Sequence, residues 1–235
     1  MSRRRTFVRG PAAYRRGRPQ FPSSGKAFLI VTEGKKTEPN YFLALRNRLQ
    51  LAAADVEILH PDGTDPITLT RAAIELRDVR RKQAKKGFKI AYDEVWVVFD
   101  LEKPHDERRK LAAEAMRIKE AAAIKFAFSD PSFEFWLLLH EEYTTAPLED
   151  CDKVIKRLVA FWENYAKGQS PAPGFLEKTP VAVAHAERCR KHHESSGGDG
   201  NPSTNVDILV RQLNTATRGH CQFKFPNPLA AMVNK

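Results

Sequence analysis

Four short apolar runs, each followed by a helical stretch, constrain this chain more than any other feature. They are AFLIVT at 27–32, DVEIL at 55–59, EVWVVF at 94–99 and AIKFAF at 123–128. Each is short, rich in β-branched or aromatic residues and bounded by polar or turn-forming sequence, as a buried strand is. Between them, helical spacing is expected from Thr37 to about 49 (Tyr41, Phe42, Leu45, Leu49), over 67–86 and over 106–122. Thr37 is the expected N-cap of the first helix, with Pro39 in its first turn. Strand alternating with helix means βαβ units and a mostly parallel sheet with both faces covered. Right-handed crossovers then bring every strand's carboxyl end to one edge, where such sheets bind ligands.

Beyond residue 130 the pattern turns helical: 133–143, 150–167 (with Val154, Ile155, Leu158, Val159 and Trp162 on one face), 179–195 and 204–214. The segment 195–203, SSGGDGNPS, reads as a loop. The expected organisation is a basic, disordered tail over 1–25, an α/β core over 26–145, a helical extension over 146–215 packed on that core, and an irregular end over 216–235.

Charge sharpens this division. The net charge is +10, and the seven arginines of residues 1–25 (Arg3, Arg4, Arg5, Arg9, Arg15, Arg16, Arg18), unopposed by any acid, supply seven of those charges. Three remain for the rest of the chain. An acid-free run among Gly, Pro and Ser stays solvated and suits contact with a nucleic-acid backbone, with Arg3, Arg4 and Arg5 at its front. The tail lacks the apolar segment of a secretory signal, no apolar run reaches membrane-spanning length, and three widely spaced cysteines point to free thiols in a reducing cytoplasm. No Walker A and no strand-borne GxGxxG is present, so nucleotide binding by those routes is not expected. His185, Cys189 and His192 share a helical face, but a zinc site would need a further ligand and no CxxC pair supplies one.

Acids stand where the strands end. Glu33 follows the first strand and precedes Gly34; Asp100 closes the third, with Glu102 two residues on and Asp106 nearby. Converging carboxylates repel unless a cation lies between them, and hard oxygen donors suit Mg2+ or Mn2+. A phosphodiester-cleaving centre has that composition.

Four segments in order, FLIVTEGKKTEPNYF, EVWVVFDLEK, AFSDPSFEFWLLLH and GNPSTNVDILV, resemble the RloB-like family, itself similar to the Toprim fold of topoisomerases, primases and related nucleases. The resemblance covers about 27–215. It implies a Toprim-like α/β sheet flanked by helices with a helical C-terminal extension. It matches Glu33 to the family's proton-transfer or metal-ligating glutamate, and Asp100 with Glu102 to the D-x-D pair, with Glu in the second place. Glu134 matches a further acidic position. Lys35, Lys36, Thr37, Lys167, Asn201 and Ser203 fall at positions suited to phosphate. The implied activity is Mg2+- or Mn2+-dependent hydrolysis of DNA or RNA, tRNA included, in bacterial anti-phage defence with an ABC-type ATPase partner. The alternative is a non-catalytic nucleic-acid-binding or regulatory subunit of such a complex. Whether the chain forms a homo-oligomer is left open by the sequence.

Overall fold

A computed structural model describes residues 25–52, 55–102, 104–172, 174–197, 200–217 and 219–225. The arginine-rich tail with Arg3, Arg4 and Arg5 and most of the irregular C-terminal end therefore lie outside the described residues. The four apolar runs form parallel strands β1 (Phe28–Thr32), β2 (Val56–Leu59), β3 (Glu94–Asp100) and β4 (Ile124–Asp130). The sheet order is β2-β1-β3-β4-β5, where β5 (Ser203–Thr204) runs antiparallel to β4. This is a mixed α/β fold with a five-stranded, mostly parallel sheet flanked by helices.

Strand periodicity divides the core in two. On β1, Phe28 and Ile30 join one apolar cluster and Leu29 and Val31 the other; on β3, Trp96 and Val98 are separated in the same way from Val95, Val97 and Phe99. All of these side chains are buried, which is why the strands read as unbroken apolar runs rather than as an alternation. α1 (Thr37–Arg48) covers the first face, and α2 (Pro66–Lys85) with α3 (His105–Arg117) covers the second. Crossover handedness demands this split. The chain steps outward from β1 to β2 through α1, then back past β1 to β3 through α2, so two right-handed connections in opposite directions place their helices on opposite faces.

The helical second half joins the first face. α4 (Phe133–Leu138), α5 (Cys151–Leu158), α6 (Thr179–Ser196) and α7 (Val206–Ala216) contribute Phe135, Trp136, Val154, Ala186 and Leu209 to the cluster that holds Phe28 and Tyr41. No helix of the described residues is long and apolar enough to cross a membrane.

Several elements depart from expectation. Thr37 is the first residue of α1, not its cap; Lys36 holds the cap position without a side-chain hydrogen bond. The Thr37 hydroxyl instead accepts the Gly168 N–H at 3.0 Å, so a tertiary contact has claimed it. α2 shows the local cap that sequence logic looks for: Asp65 accepts the Thr68 N–H at 2.9 Å and Pro66 opens the helix. α3 stops at Arg117, with a 3-10 turn at Lys119–Ala121. α4 ends five residues short of 143. α5 ends at Leu158 rather than near 167, and Asn164 and Gly168 then take positive φ values of 58° and 85° that a continuing helix does not allow. β5 went unseen because two residues after a proline carry no periodicity.

Candidate active site at the switch between β1 and β3

The loops leaving β1 and β3 diverge to opposite faces, which opens a crevice at the carboxyl ends of these two adjacent strands. In open α/β sheets that is where ligands bind. The Glu33 N–H donates to the Val98 carbonyl (2.9 Å), prolonging the β1–β3 pairing by one residue and fixing the start of the turn. Glu33 Oε2 accepts the Asp100 N–H at 3.0 Å and Arg108 Nη2 at 2.6 Å. Arg108, from α3, also holds the Asp100 carbonyl through Nε (3.1 Å) and Nη2 (2.7 Å), and the Thr64 carbonyl through Nη1 (2.9 Å). Burial raises the Glu33 carboxyl above its ordinary range; the Asp100 N–H and Arg108 oppose that rise, and the charge of Glu102 adds to it.

A second glutamate lies alongside. Glu38, in the first turn of α1, is buried and accepts the Gly34 N–H at 2.9 Å. Burial, and then the charges of Glu134 and Glu33, push its carboxyl up to about 7. A Cβ at Gly34 would fall 1.9 Å from Glu38 Oε2, so any larger residue there would displace that carboxylate. Asp100 is pushed well above the usual carboxylate range by burial, then by the charges of Glu38, Glu134 and Glu33, against which the Phe133 N–H works. Its Oδ1 is buried and has no hydrogen-bond partner.

Glu134, buried at the start of α4, accepts from Tyr165 Oη at 3.2 Å and Cys151 Sγ at 3.3 Å. Burial and the neighbouring Glu134 charge hold the Cys151 thiol up at about 12, so it remains a protonated donor. Lys167 faces the same group, within reach of the charges of Glu134 and Glu102. Glu102 itself is exposed, and its charge reaches Glu33.

The RloB-like family model matches residues 28–213, a span that contains all of these side chains. The chain belongs to the RloB-like family. No curated protein and no solved structure matches it.

In this RloB-like chain the fold brings Glu33, Asp100, Glu102 and Glu134 to one crevice. Lys35 and Lys36 are exposed in the turn beside it, and Gly168 leaves room for the Lys36 stem, whose Cβ a Gly168 Cβ would approach to 2.7 Å. Asn201 and Ser203 have other occupations. Asn201 accepts the Leu148 N–H (2.9 Å) and donates to Asp130 (2.6 Å), and Ser203 pairs with Asp130 across the sheet. Asp106 lies exposed in the first turn of α3. His185 and Cys189 face backbone carbonyls, those of Leu139 and Thr144. Among the described residues no group of three or more His, Cys, Asp or Glu stands in a metal-holding arrangement. The acids are turned toward protein donors: Glu33 to Arg108, Glu38 to Gly34, Glu134 to Tyr165 and Cys151.

Sequence reasoning missed Glu38 and Arg108. Glu38 had a signal, an acid five residues after Glu33 in TEGKKTE, but an acid in a first helical turn is ordinarily a dipole partner. Arg108 had none, because its reach from α3 to the strand ends depends on tertiary placement.

Proposed function

We propose that the protein is a divalent-metal-dependent nuclease of Toprim type that hydrolyses phosphodiesters of DNA or RNA, tRNA among them, at the β1–β3 crevice. The observation that carries this reading is the unpartnered Asp100 Oδ1, buried among the charges of Glu38, Glu134 and Glu33. The charges that act on Asp100 are all negative, and the donors there are hard oxygens that fit Mg2+ or Mn2+. Asp100 and Glu38 would hold the ion, one or two carboxylates being what Mg2+ usually takes from a protein, with Glu33, Glu102 and Glu134 flanking. When bound, the ion supplies positive charge against the negative charge that develops on the phosphate.

The chain's own groups divide the remaining work. Glu33, shielded from water but held by Arg108, is the group placed to take a proton from an attacking water. Arg108 fixes its orientation and the end of β3. Lys167 stands where it can meet a phosphate oxygen. The RloB-like resemblance supports a setting in cytoplasmic anti-phage defence with an ABC-type ATPase partner.

A second reading is a non-catalytic nucleic-acid-binding subunit. It is favoured by the ion pair that occupies Glu33 and by the exposed Glu102 in place of an aspartate. Cleavage of plasmid, single-stranded DNA and bulk tRNA with Mg2+ or Mn2+ separates the two readings. Metal-dependent cleavage lost in Glu33→Gln and Asp100→Asn is expected. Intact substrates in every condition, with a neighbouring ATPase added, would instead establish the binding subunit.

A further inference from the structure

A groove of about 620 Å³ runs along α5, outside the carboxylate crevice, lined among others by Leu148, Lys153, Lys156 and Phe161. We propose that this groove binds an unpaired stretch of the nucleic-acid strand whose phosphate lies at the crevice, with a base stacked on Phe161 and phosphates met by Lys153 and Lys156. The proposal rests on the nuclease reading for its ligand, and three observations point to it.

The first is Phe161 itself. Its neighbours Trp162 and Tyr165 turn inward, with ring centroids 5.0 Å apart, and Trp162 meets Phe175 in a tilted contact at 5.0 Å. Phe161 does the opposite and stays 49% exposed. An exposed ring beside cations is the composition of a base-stacking platform.

The second is charge. Lys153 and Lys156 follow at i and i+3, one face of α5, and both are exposed. Of the acids on the groove, Glu142 is neutralised by Arg157, which also donates to Thr144 Oγ1 at 3.1 Å. Glu149 is the other acid of the lining, against the two lysines.

The third is continuity with the site. Cys151 opens α5 and donates to Glu134. The Glu149 carbonyl meets His105 Nε2 at 3.2 Å, at the start of the helix that carries Arg108. The Leu148 N–H is tied to Asn201. From that junction α5 extends about 12 Å at 1.5 Å per residue, a few nucleotides of strand. Paired bases are stacked on one another and cannot offer a face to Phe161, so the occupant is single-stranded.

The test is fluorescence anisotropy of a labelled twelve-nucleotide strand, as DNA and as RNA, and of the matching duplex. Metal is withheld, so nothing is cut. Phe161→Ala is expected to weaken single-strand binding about tenfold and leave the duplex unchanged, with Phe161→Trp restoring it. The pair Lys153→Gln and Lys156→Gln is expected to reduce the salt dependence by about 1.4 in log–log slope, two phosphate contacts on a single strand. Single-strand binding unaltered in Phe161→Ala overturns the proposal. Cleavage lost in Asp100→Asn alongside unaltered Phe161→Ala binding would sink the groove and keep the nuclease. Phe161-dependent binding with no cleavage in any metal would do the reverse.

Discussion

Arg108 Nη2 lies 2.6 Å from Glu33 Oε2, so a cation from α3 grips the carboxylate that follows β1. The same guanidinium closes on the Asp100 carbonyl, tying together the two strand ends that frame the crevice. Arg108 therefore orients Glu33 and opposes the rise that burial imposes on it. With Arg108→Gln that opposition is gone, and Glu33 is ionised only at higher pH. Cleavage near neutral pH should fall roughly 10- to 100-fold, and the acid limb of the pH–rate profile should move upward. Arg108→Lys should recover part of the rate. An unmoved acid limb would remove Glu33 from the proton-transfer role.

Glu38 makes stability depend on pH in a definite direction. Its carboxyl is raised from 4.5 to about 7, so between those values the native chain holds a proton that the unfolded chain has released. Its contribution is complete below pH 4.5 and is lost as pH rises through 7. Glu38→Gln cannot ionise, and it should exceed the wild type by on the order of 2 kcal/mol at pH 8 while matching it at pH 4. Chemical denaturation at the two pH values measures this.

A divalent cation should relieve the same strain. Burial and their neighbours' charges raise the carboxyls of Glu38 and Asp100, and a bound cation displaces protons from them, so millimolar Mn2+ or Mg2+ should raise Tm by several degrees at pH 8, with less effect at pH 5.5 where protons compete. Asp100→Asn should abolish the shift. An equal shift in that variant would place the ion elsewhere.

Asn201 bridges two segments through the buried Leu148 N–H and Asp130. Removing the amide leaves both polar groups without this partner, and Asn201→Ala should lose about 2–4 kcal/mol in a denaturant titration. The affinity of the folded variant for nucleic acid should remain that of the wild type, which separates a bracing role from phosphate contact.

The sheet was legible because β1 and β3 are buried on both faces and so carry unbroken apolar runs, FLIVT and VWVVF. Glu33 and Asp100 were legible for a related reason: parallel strands with right-handed crossovers leave their carboxyl ends no other edge. Where a position is decided by a distant partner, sequence offers nothing comparable. Thr37 looks like a cap until Gly168 arrives, and Asn201 looks like a loop polar group until Asp130 and Leu148 meet it. Arg108 is one of many cations on α3, distinguished only by the crossover that carries it over the crevice.

The two residues of β5 have an influence beyond their length. β4 is a seven-residue strand, and without β5 its carboxyl end would be an open border, ready to pair with another chain. Ser203 and Thr204, delivered from more than seventy residues downstream, occupy that border at Asp130 and Ser129. The C-terminal segment thus acts as a selvedge, finishing the sheet at the end nearest the crevice. The chain thereby hems its own sheet at Ser129 and Asp130, with a thread drawn from its far end.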